Sequence, residues 1–305
     1  MSAIRISTAP GTWGVEPVVD PAQAPWPLVL DEVAAAGFDG IELGPYGYLP
    51  VDVDRLSSEL SARGLRLSAG FVMEPLHDSA HTDRILDTTR HTCKLLSDAG
   101  AKVLVVIGSL VPERSATAGR PDAAPPLDGW NRTIFIRTVG AIIDIAARHG
   151  LTATLHPHAG TFVEFDDEID SMLDQAGMQL GLCIDTGHCL YSGVDANALL
   201  QRHADRVSHV HFKDLHGELL HEALFNKLSF EQAVASGVFC SLGDGSVDLK
   251  AFADQLRRLG YDGWATYEQD RVAADHPHAR SDAQRSLACL HNLGIHDRSE
   301  PPRNG

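Results

Sequence analysis

Histidines and carboxylates recur in the second half of the chain at spacings that could build a cation site. The stretch TATLHPHAG (152–160) carries His156 and His158 on either side of a proline. In an extended chain, residues two apart point to the same side, so the two imidazoles are predicted to face together. CIDTGH, further along, supplies Asp185 and His188. Carboxylate oxygens and imidazole nitrogens are the ligands of Mn²⁺, Co²⁺, Zn²⁺ and Fe²⁺, so the pattern predicts a site for a divalent ion.

A second motif, SHVHFKD (208–214), sorts its residues by strand parity. His209, His211 and Lys213 share one face, and Val210 and Phe212 share the other. The apolar pair is predicted to face a helical layer, which puts the polar three on the inside. His211 is nearer the strand end and is the predicted ligand, with His209 supporting it or packing beneath it. Lys213 is expected to donate a proton or to clamp substrate.

Further carboxylates follow other apolar runs. Glu42 ends GIEL, Glu164 follows HPHAG, and YEQD supplies Glu268 and Asp270. Any one of these could be an ordinary structural residue, and Glu42 in particular could be a structural carboxylate or a contact to substrate hydroxyls. A buried group of like charges is costly without a cation, so their coincidence at strand ends favours a functional site.

The elements that must position these residues alternate along the chain. Short runs rich in Ile, Val and Leu are each followed by a polar patch and a helical pattern that ends in glycine, as at Gly37, Gly64, Gly100, Gly150 and Gly260. The predicted strands are 4–8, 40–44, 66–72, 102–108, 152–158, 180–186, 207–214 and 264–270. The stretch LGDGSVD (242–248) predicts a turn before a helix capped by Asp248.

Eight strands separated by helices predict a single-domain α/β fold, the (β/α)8 TIM barrel, over residues 1–295. An open doubly wound sheet is the alternative, but no glycine-rich dinucleotide loop follows the first strand. Residues 109–130 are expected to form a long irregular loop at the rim, and 296–305 a frayed tail. In such barrels the reactive groups lie at the carboxyl ends of the strands, where the residues above are placed.

The composition limits the classes of molecule that the protein is expected to bind. The 305 residues include 25 Lys plus Arg against 41 Asp plus Glu, a formal charge of −16. An acidic surface repels phosphate backbones and anionic lipids, so we expect no nucleic-acid and no membrane partner. The five cysteines lack CxxC spacing and the start of the chain lacks a signal-peptide pattern, which indicates reduced thiols in a cytoplasmic protein. A homo-oligomer is possible.

The motifs HPHAG, CIDTGH, HVHFKD, GVFCSLGDGSVD and GYDGWATYEQD, in this order, resemble the xylose isomerase-like barrel superfamily of sugar isomerases and epimerases. Within it, the chain is most similar to the inosose (2-keto-myo-inositol) dehydratase group. The resemblance extends from APGTWGV (9–15) to EQD (268–270).

The resemblance implies one divalent ion, with Mn²⁺ or Co²⁺ favoured and Zn²⁺, Mg²⁺ and Fe²⁺ open. Superfamily members bind it through Glu, Asp, His and Glu on strands five to eight, which carries over here to Asp185, His211 and Glu268. The strand-five position holds His156 instead of glutamate. His156 is therefore the predicted fourth ligand, and whether His158 or Glu164 takes its place stays open.

The histidine removes the symmetric pair of glutamates that epimerases of the superfamily use for proton exchange. It favours elimination of water from a cyclic polyol ketone, a small neutral substrate, with one base beside the ketone and one acid at the leaving hydroxyl. The predicted proton-transfer residues are Glu268, His158, His188 and Lys213. The predicted substrate-binding residues are Glu42, Trp13, Glu164 and His188, although Trp13 could equally be a packing residue.

Three other functions remain open from the sequence. A sugar or keto-sugar isomerase or epimerase would use the same metal site. An endonuclease of the abasic-site type shares the barrel, but the charge of −16 opposes it. A non-catalytic carbohydrate-binding or assembly protein is opposed by the presence of Asp185, His211 and Glu268.

Overall fold

A parallel β-sheet forms the centre of the molecule. The structure, a computed structural model, describes residues 4–16 and 20–295, so the predicted tail at 296–305 lies outside the described residues. Nine strands pair in parallel in the order β3-β2-β1-β11-β8-β7-β6-β5-β4. They are β1 Arg5–Thr8, β2 Gly40–Ile41, β3 Arg66–Leu67, β4 Gly70–Glu74, β5 Val103–Gly108, β6 Thr152–Leu155, β7 Gly181–Asp185, β8 Val207–Phe212 and β11 Trp264–Tyr267.

The two ends of this strand order belong to one stretch of chain. β3 pairs with β2 at one end of the order, and β4 pairs with β5 at the other. Only Ser68 and Ala69 separate β3 from β4 along the chain. The linker itself continues the pairing, since the Leu43 N–H donates to the Ala69 carbonyl at 2.9 Å. The sheet therefore meets itself through a single interrupted strand, and the prediction of an eight-stranded TIM barrel is confirmed.

Helices surround the sheet, and the predicted glycine stops are confirmed by left-handed φ angles of +67° to +101° at all five glycines. The helices are α1 Trp26–Ala36, α2 Val53–Ser61, α3 Thr82–Asp98, α4 Pro112–Ser115, α5 Gly129–Arg148, α6 Asp166–Ala176, α7 Thr186–Tyr191, α8 Ala196–Arg202, α9 Gly217–Phe225, α10 Phe230–Ala235, α11 Leu249–Arg258 and α12 His276–Asn292. Among the described helices, none has both the length and the apolar composition that crossing a membrane requires.

Several boundaries differ from those predicted. β6 ends at Leu155, so His156 and His158 follow the strand and do not share its face. The segment 207–214 divides into β8 and the short β9 Asp214–Leu215, which pairs antiparallel with β10 Phe239–Cys240. The segment 109–130 is less irregular than expected, because it contains α4 and a 3₁₀ turn at Pro121–Ala123.

The apolar residues form two main clusters. The larger fills the barrel wall and the layer beneath the helices, where Phe212 packs edge-on against Phe252 of α11 with ring centroids 5.5 Å apart. This contact confirms that the apolar face of β8 points to the helical layer. The smaller cluster lies around α9, α10 and the β9–β10 pair, and includes Leu215, Phe230 and Phe239. The sequence did not predict this second unit, which we call the roof (residues 214–247).

Candidate active site

Four side chains from four adjacent strands converge at the carboxyl end of the barrel. His156 follows β6, Asp185 ends β7, His211 lies in β8 and Glu268 follows β11, and one ligand atom of each lies within 4.8 Å of the others. Nε2 of His156 is 3.1 Å from Nδ1 of His211 and 3.5 Å from Oδ2 of Asp185. Nδ1 of His211 is 3.2 Å from Oε2 of Glu268. All four predicted metal ligands therefore lie together.

This group fits a divalent ion. Oδ1 of Asp185 accepts the N–H groups of Gly187 and His188 at 2.8 and 2.9 Å, so the carboxylate is fixed by the turn into α7. Within the described residues, its Oδ2 is buried without a hydrogen-bond partner and points at the two imidazoles. We call the space between His156, Asp185, His211 and Glu268 the ion position. Two imidazole nitrogens and two carboxylates around this space match the ligand preference of Mn²⁺, Co²⁺ and Zn²⁺.

Glu42 lies below the four-residue group, inside the barrel. Its Oε1 accepts hydrogen bonds from Nε2 of His209 at 2.7 Å, Nε2 of His211 at 3.0 Å and Oγ1 of Thr266 at 2.9 Å. Burial acts to raise the pKa of Glu42, but the charge and hydrogen bonds of the two histidines hold that pKa well below its usual value. Because His211 donates through Nε2, its Nδ1 is directed towards the ion position. The contact supports a role for Glu42 in orienting His211.

Lys213 forms the wall beside the ion position. Its Nζ donates to Oδ1 of Asp270 at 2.7 Å and to Nε2 of His188 at 3.0 Å, and lies 3.4 Å from both Asp185 and Glu268. The side chain is buried, which acts to lower its pKa, but Asp185, Asp270 and Glu268 together raise the pKa of Lys213 above its usual value. Lys213 is therefore a charged proton donor in a protein-enclosed position.

His158 and His188 lie against each other beside this wall, with ring centroids 3.7 Å apart and ring planes tilted by 38°. Nδ1 of His158 donates to the Ala159 carbonyl at 2.8 Å, which leaves Nε2 as an acceptor. Burial, and then the neighbouring charge of His156, lower the pKa of His158 to about 3. Burial also lowers the pKa of His188 well below its usual value. Both rings are therefore neutral near pH 7. Nε2 of His188 already accepts from Lys213, so Nε2 of His158 is the acceptor that remains.

The roof packs over these histidines. Phe230 lies 5.2 Å from His158 and Phe239 lies 5.8 Å from His188, measured between ring centroids. Asp214 holds the roof in place, accepting the N–H groups of Gly243, Gly245 and Val247 at 2.9 to 3.1 Å. A Cβ at Gly245 would lie 2.2 Å from Oδ1 of Asp214, so glycine is required there. The adjacent turn confirms one prediction, since Asp248 caps α11 by accepting from the Ala251 N–H at 2.9 Å.

Glu164 is not brought to the ion position. Its carboxylate accepts from the N–H groups of Gly119 and Gly160 at 2.6 and 3.0 Å and from Ser192 at 3.1 Å. Arg114 of α4, fully buried, lies 3.5 Å from Glu164 and makes two hydrogen bonds of 2.6 and 2.8 Å to Glu168. Glu164 therefore links the rim segment 109–130 to the loop that carries His158. This leaves His156 as the residue that reaches the ion position from the strand-five side.

Trp13 also lies away from the group. It is fully buried in the larger apolar cluster, and its Nε1 donates to Oε2 of Glu32 on α1 at 2.7 Å. This placement corresponds to the packing alternative and leaves no ring face for a substrate.

Two carboxylates near the site were given no role from the sequence: Asp270 was noted only as a strand-end residue, and Glu16 was not noted at all. Asp270, in the same YEQD motif as Glu268, contacts Lys213 and comes within 3.6 Å of His188. Glu16, after β1, is exposed to solvent, and its charged neighbours include Asp270, Lys213 and Glu268. Partial burial of its carboxyl group, and then the charge of Asp270, raise the pKa of Glu16. The position of Asp270 at a strand end was the available signal, whereas nothing in the spacing around Glu16 indicated its place.

The family model described as "Xylose isomerase-like TIM barrel" matches residues 30–293. The chain belongs to this family. Among its members in curated collections, the rhizopine catabolism protein MocC of Rhizobium meliloti is 32% identical over 272 residues, 89% of this chain and 83% of MocC. An inosose dehydratase of Geobacillus thermodenitrificans is 32% identical over 252 residues, 80% of this chain and 82% of the relative.

The fold of the family also extends to solved structures. The crystal structure of the IolI protein, whose description includes a bound zinc atom, superposes with a TM-score of 0.72 at 15% identity, over 97% of this chain and all of IolI. At that identity the likeness supports the shared fold alone.

Proposed function

We propose that this member of the xylose isomerase-like family is a metal-dependent dehydratase of a cyclic polyol ketone of the inosose type. One observation carries the proposal. The strand-five side of the ion position presents the imidazole of His156, and the opposite wall places the carboxylate of Glu268 3.4 Å from the ammonium of Lys213. A base and an acid side by side suit the loss of a proton and a hydroxide from neighbouring carbons.

His156, Asp185, His211 and Glu268 would hold the divalent ion. When bound, the ion would act as a Lewis acid that polarises the ketone oxygen and a neighbouring hydroxyl. Glu42 would keep Nδ1 of His211 directed at it through the 3.0 Å contact with Nε2.

Glu268 is the proposed base. Burial acts to raise its pKa, but His211 and Lys213 lower the pKa of Glu268 to about 2, so it is ionised at neutral pH. It would take the proton from the carbon next to the ketone, and the electron pair of that C–H bond would form the new carbon–carbon double bond as the C–O bond of the next carbon breaks. His158, whose neutral ring leaves Nε2 as an acceptor, is the alternative.

Lys213 is the proposed acid. Its Nζ proton would pass to the departing hydroxyl oxygen, so that water leaves. The proton gained by Glu268 can then return to Lys213 across the 3.4 Å that separates Oε2 from Nζ, which restores both groups. Asp270 and His188, at 2.7 and 3.0 Å, would hold Nζ in position throughout.

The alternative function is a sugar or keto-sugar isomerase or epimerase at the same site. The neutral ring of His158 favours it, since Nε2 of His158 offers a second proton acceptor beside the carboxylate. Proton exchange at the substrate carbon without loss of water would support this alternative.

Incubation with 2-keto-myo-inositol and Mn²⁺ tests the proposal. We expect an ultraviolet-absorbing dione to appear, with no product from the metal-stripped protein or from D185N. The exposed Asp98 provides a matched control, and D98N should retain full activity. A metal-loaded, folded protein that releases no dione would overturn the dehydratase.

A further inference from the structure

A thiol lies directly beneath the ion position. Cys183 precedes Asp185 by two residues on β7, so both side chains face the barrel interior. Its partner across the sheet is His209, one step below the Asp185–His211 pair. Cys183 is fully buried and is a free thiol. The proposed reaction gives it no role.

The thiol has two nitrogen neighbours that could bind a cation with it. Sγ of Cys183 and one ring nitrogen each of His156 and His211 lie within 4.8 Å of one another. Two further buried atoms, Nδ1 of His156 and Oδ2 of Asp185, are without a hydrogen-bond partner among the described residues. The polar groups around the two imidazoles are therefore not fully satisfied by the protein itself.

We propose that Cys183, His156 and His211 form a second, sulfur-containing cation site that takes soft divalent ions such as Zn²⁺ and Cd²⁺. Thiolate ligands favour these ions, whereas carboxylate ligands suit Mn²⁺ and Mg²⁺. Because the oxygen-rich site uses the same two histidines, the chain holds one ion at a time. Binding forms the sulfur–metal bond as the S–H bond breaks, and the proton leaves to water with no change in oxidation state.

The choice of ion then sets its depth in the barrel. A soft ion drawn towards Cys183 moves away from Glu268 and from the open end. Mn²⁺ stays among Asp185 and Glu268. The site would therefore discriminate between ions by position, independently of which reaction the protein catalyses.

The test uses the metal-stripped full-length protein titrated with Cd²⁺ and with Co²⁺. We expect a sulfur-to-metal charge-transfer absorption that saturates at one equivalent. C183S and C183A should lose this absorption and bind Cd²⁺ about 10- to 100-fold more weakly, while their Mn²⁺ affinity changes less than about threefold. C189S is the matched control, because Cys189 is also buried but lies in α7 outside the three-residue group, and it should behave as wild type.

A variant with Cys183 as its sole thiol (C93S/C189S/C240S/C289S) covers the case in which neither Cys183 variant folds, and it must keep the absorption. Absence of the band from the wild type or from the sole-thiol variant would overturn the site. So would a C183S protein that binds Cd²⁺ as tightly as wild type.

Discussion

Replacing Lys213 should separate the two steps of the proposed reaction, which are loss of the proton beside the ketone and loss of the hydroxyl group. With Lys213→Met we expect the rate of dione formation to fall by about 10²- to 10⁴-fold, the usual contribution of one proton-transfer group. Glu268 remains in this variant, so exchange of the hydrogen beside the ketone with deuterated solvent should continue. Product absorbance and NMR of the recovered substrate measure the two steps.

The control for this variant is Lys250→Met, since Lys250 lies on the surface and pairs with Asp254 in the same helix. Equal losses of exchange and of dehydration in Lys213→Met would contradict the assignment of Lys213 as the acid.

His211 would make binding of the proposed ion depend on pH. Burial acts to lower its pKa, but Cys183, Glu268 and Glu42 raise the pKa of His211 well above 6.5 in the metal-free protein. The ion must displace that proton, so we expect the apparent Mn²⁺ affinity to rise by up to about tenfold per pH unit from pH 6 to 8. Titration calorimetry in two buffers of different ionisation enthalpy measures the released proton, and a flat affinity over this range would contradict the prediction.

The same residue has a stability signature in the metal-free protein. A folded-state pKa above the unfolded value stabilises the fold fully below the unfolded pKa, near 6.5, and this contribution is lost as pH rises through the folded value. Urea unfolding of the metal-stripped protein should therefore show a lower free energy of unfolding on the alkaline side.

Strand parity correctly predicted that the side chains of His211 and Lys213 face the inside of the barrel. Alternation along one strand is a local property, so a short stretch of sequence is enough to reveal it. It could not find the partner of Glu42, since the contact with His209 joins residues 167 positions apart and exists only after the barrel closes. The same limit concealed the ties between Glu164 and Gly119.

Among the elements, the end of β6 explains why the two histidines of HPHAG separate. The His156 N–H still donates to the Val106 carbonyl at 3.0 Å, but Pro157 has no N–H to continue the ladder. The chain then turns, and the His158 N–H donates to Val163. Alternation alone predicted one shared face, whereas the proline directs His156 to the ion group and His158 to His188.

The rim segment 109–130 depends on a buried ion pair. Arg114→Met should lower the free energy of unfolding by about 3–5 kcal/mol, because it leaves the carboxylates of Glu164 and Glu168 without their cation. Urea denaturation measures the loss. Arg84→Met, which breaks an exposed pair with Glu74, should cost less than about 1 kcal/mol, and similar losses in the two variants would contradict a structural role for Arg114.

At the scale of the whole molecule, the alternation of apolar runs and helices predicted the barrel, since each of the eight predicted strands contains a strand of the parallel sheet, although the third and the seventh are divided. The roof was not predictable in the same way. β9 and β10 have two residues each, too few for any periodicity, and their pairing depends on the distant turn that Asp214 binds.

The proposed ion should stabilise the entire fold, since four of its ligands come from strands that are far apart in the sequence. A ligand at 100 times its dissociation constant adds about 2.7 kcal/mol to the free energy of unfolding. Mn²⁺ should therefore raise the thermal midpoint of the wild type and leave that of D185N nearly unchanged. Calorimetry measures the thermal midpoints. An equal rise of the midpoint in the wild type and in D185N would indicate that Mn²⁺ binds elsewhere.

The barrel wall and the roof belong to different apolar clusters. Val210 and Phe212 of β8, the strand that carries His211, pack in the larger cluster, and the chain leads from β8 directly into the smaller one. The four proposed ligands lie outside residues 214–247, so we expect substitutions in the roof away from Asp214 and Gly245 to leave them in place. A barrel built this way can acquire new substrates by altering the roof while inheriting its ion chemistry unchanged. In evolutionary terms, the selectivity and the reactivity of the protein are separable traits.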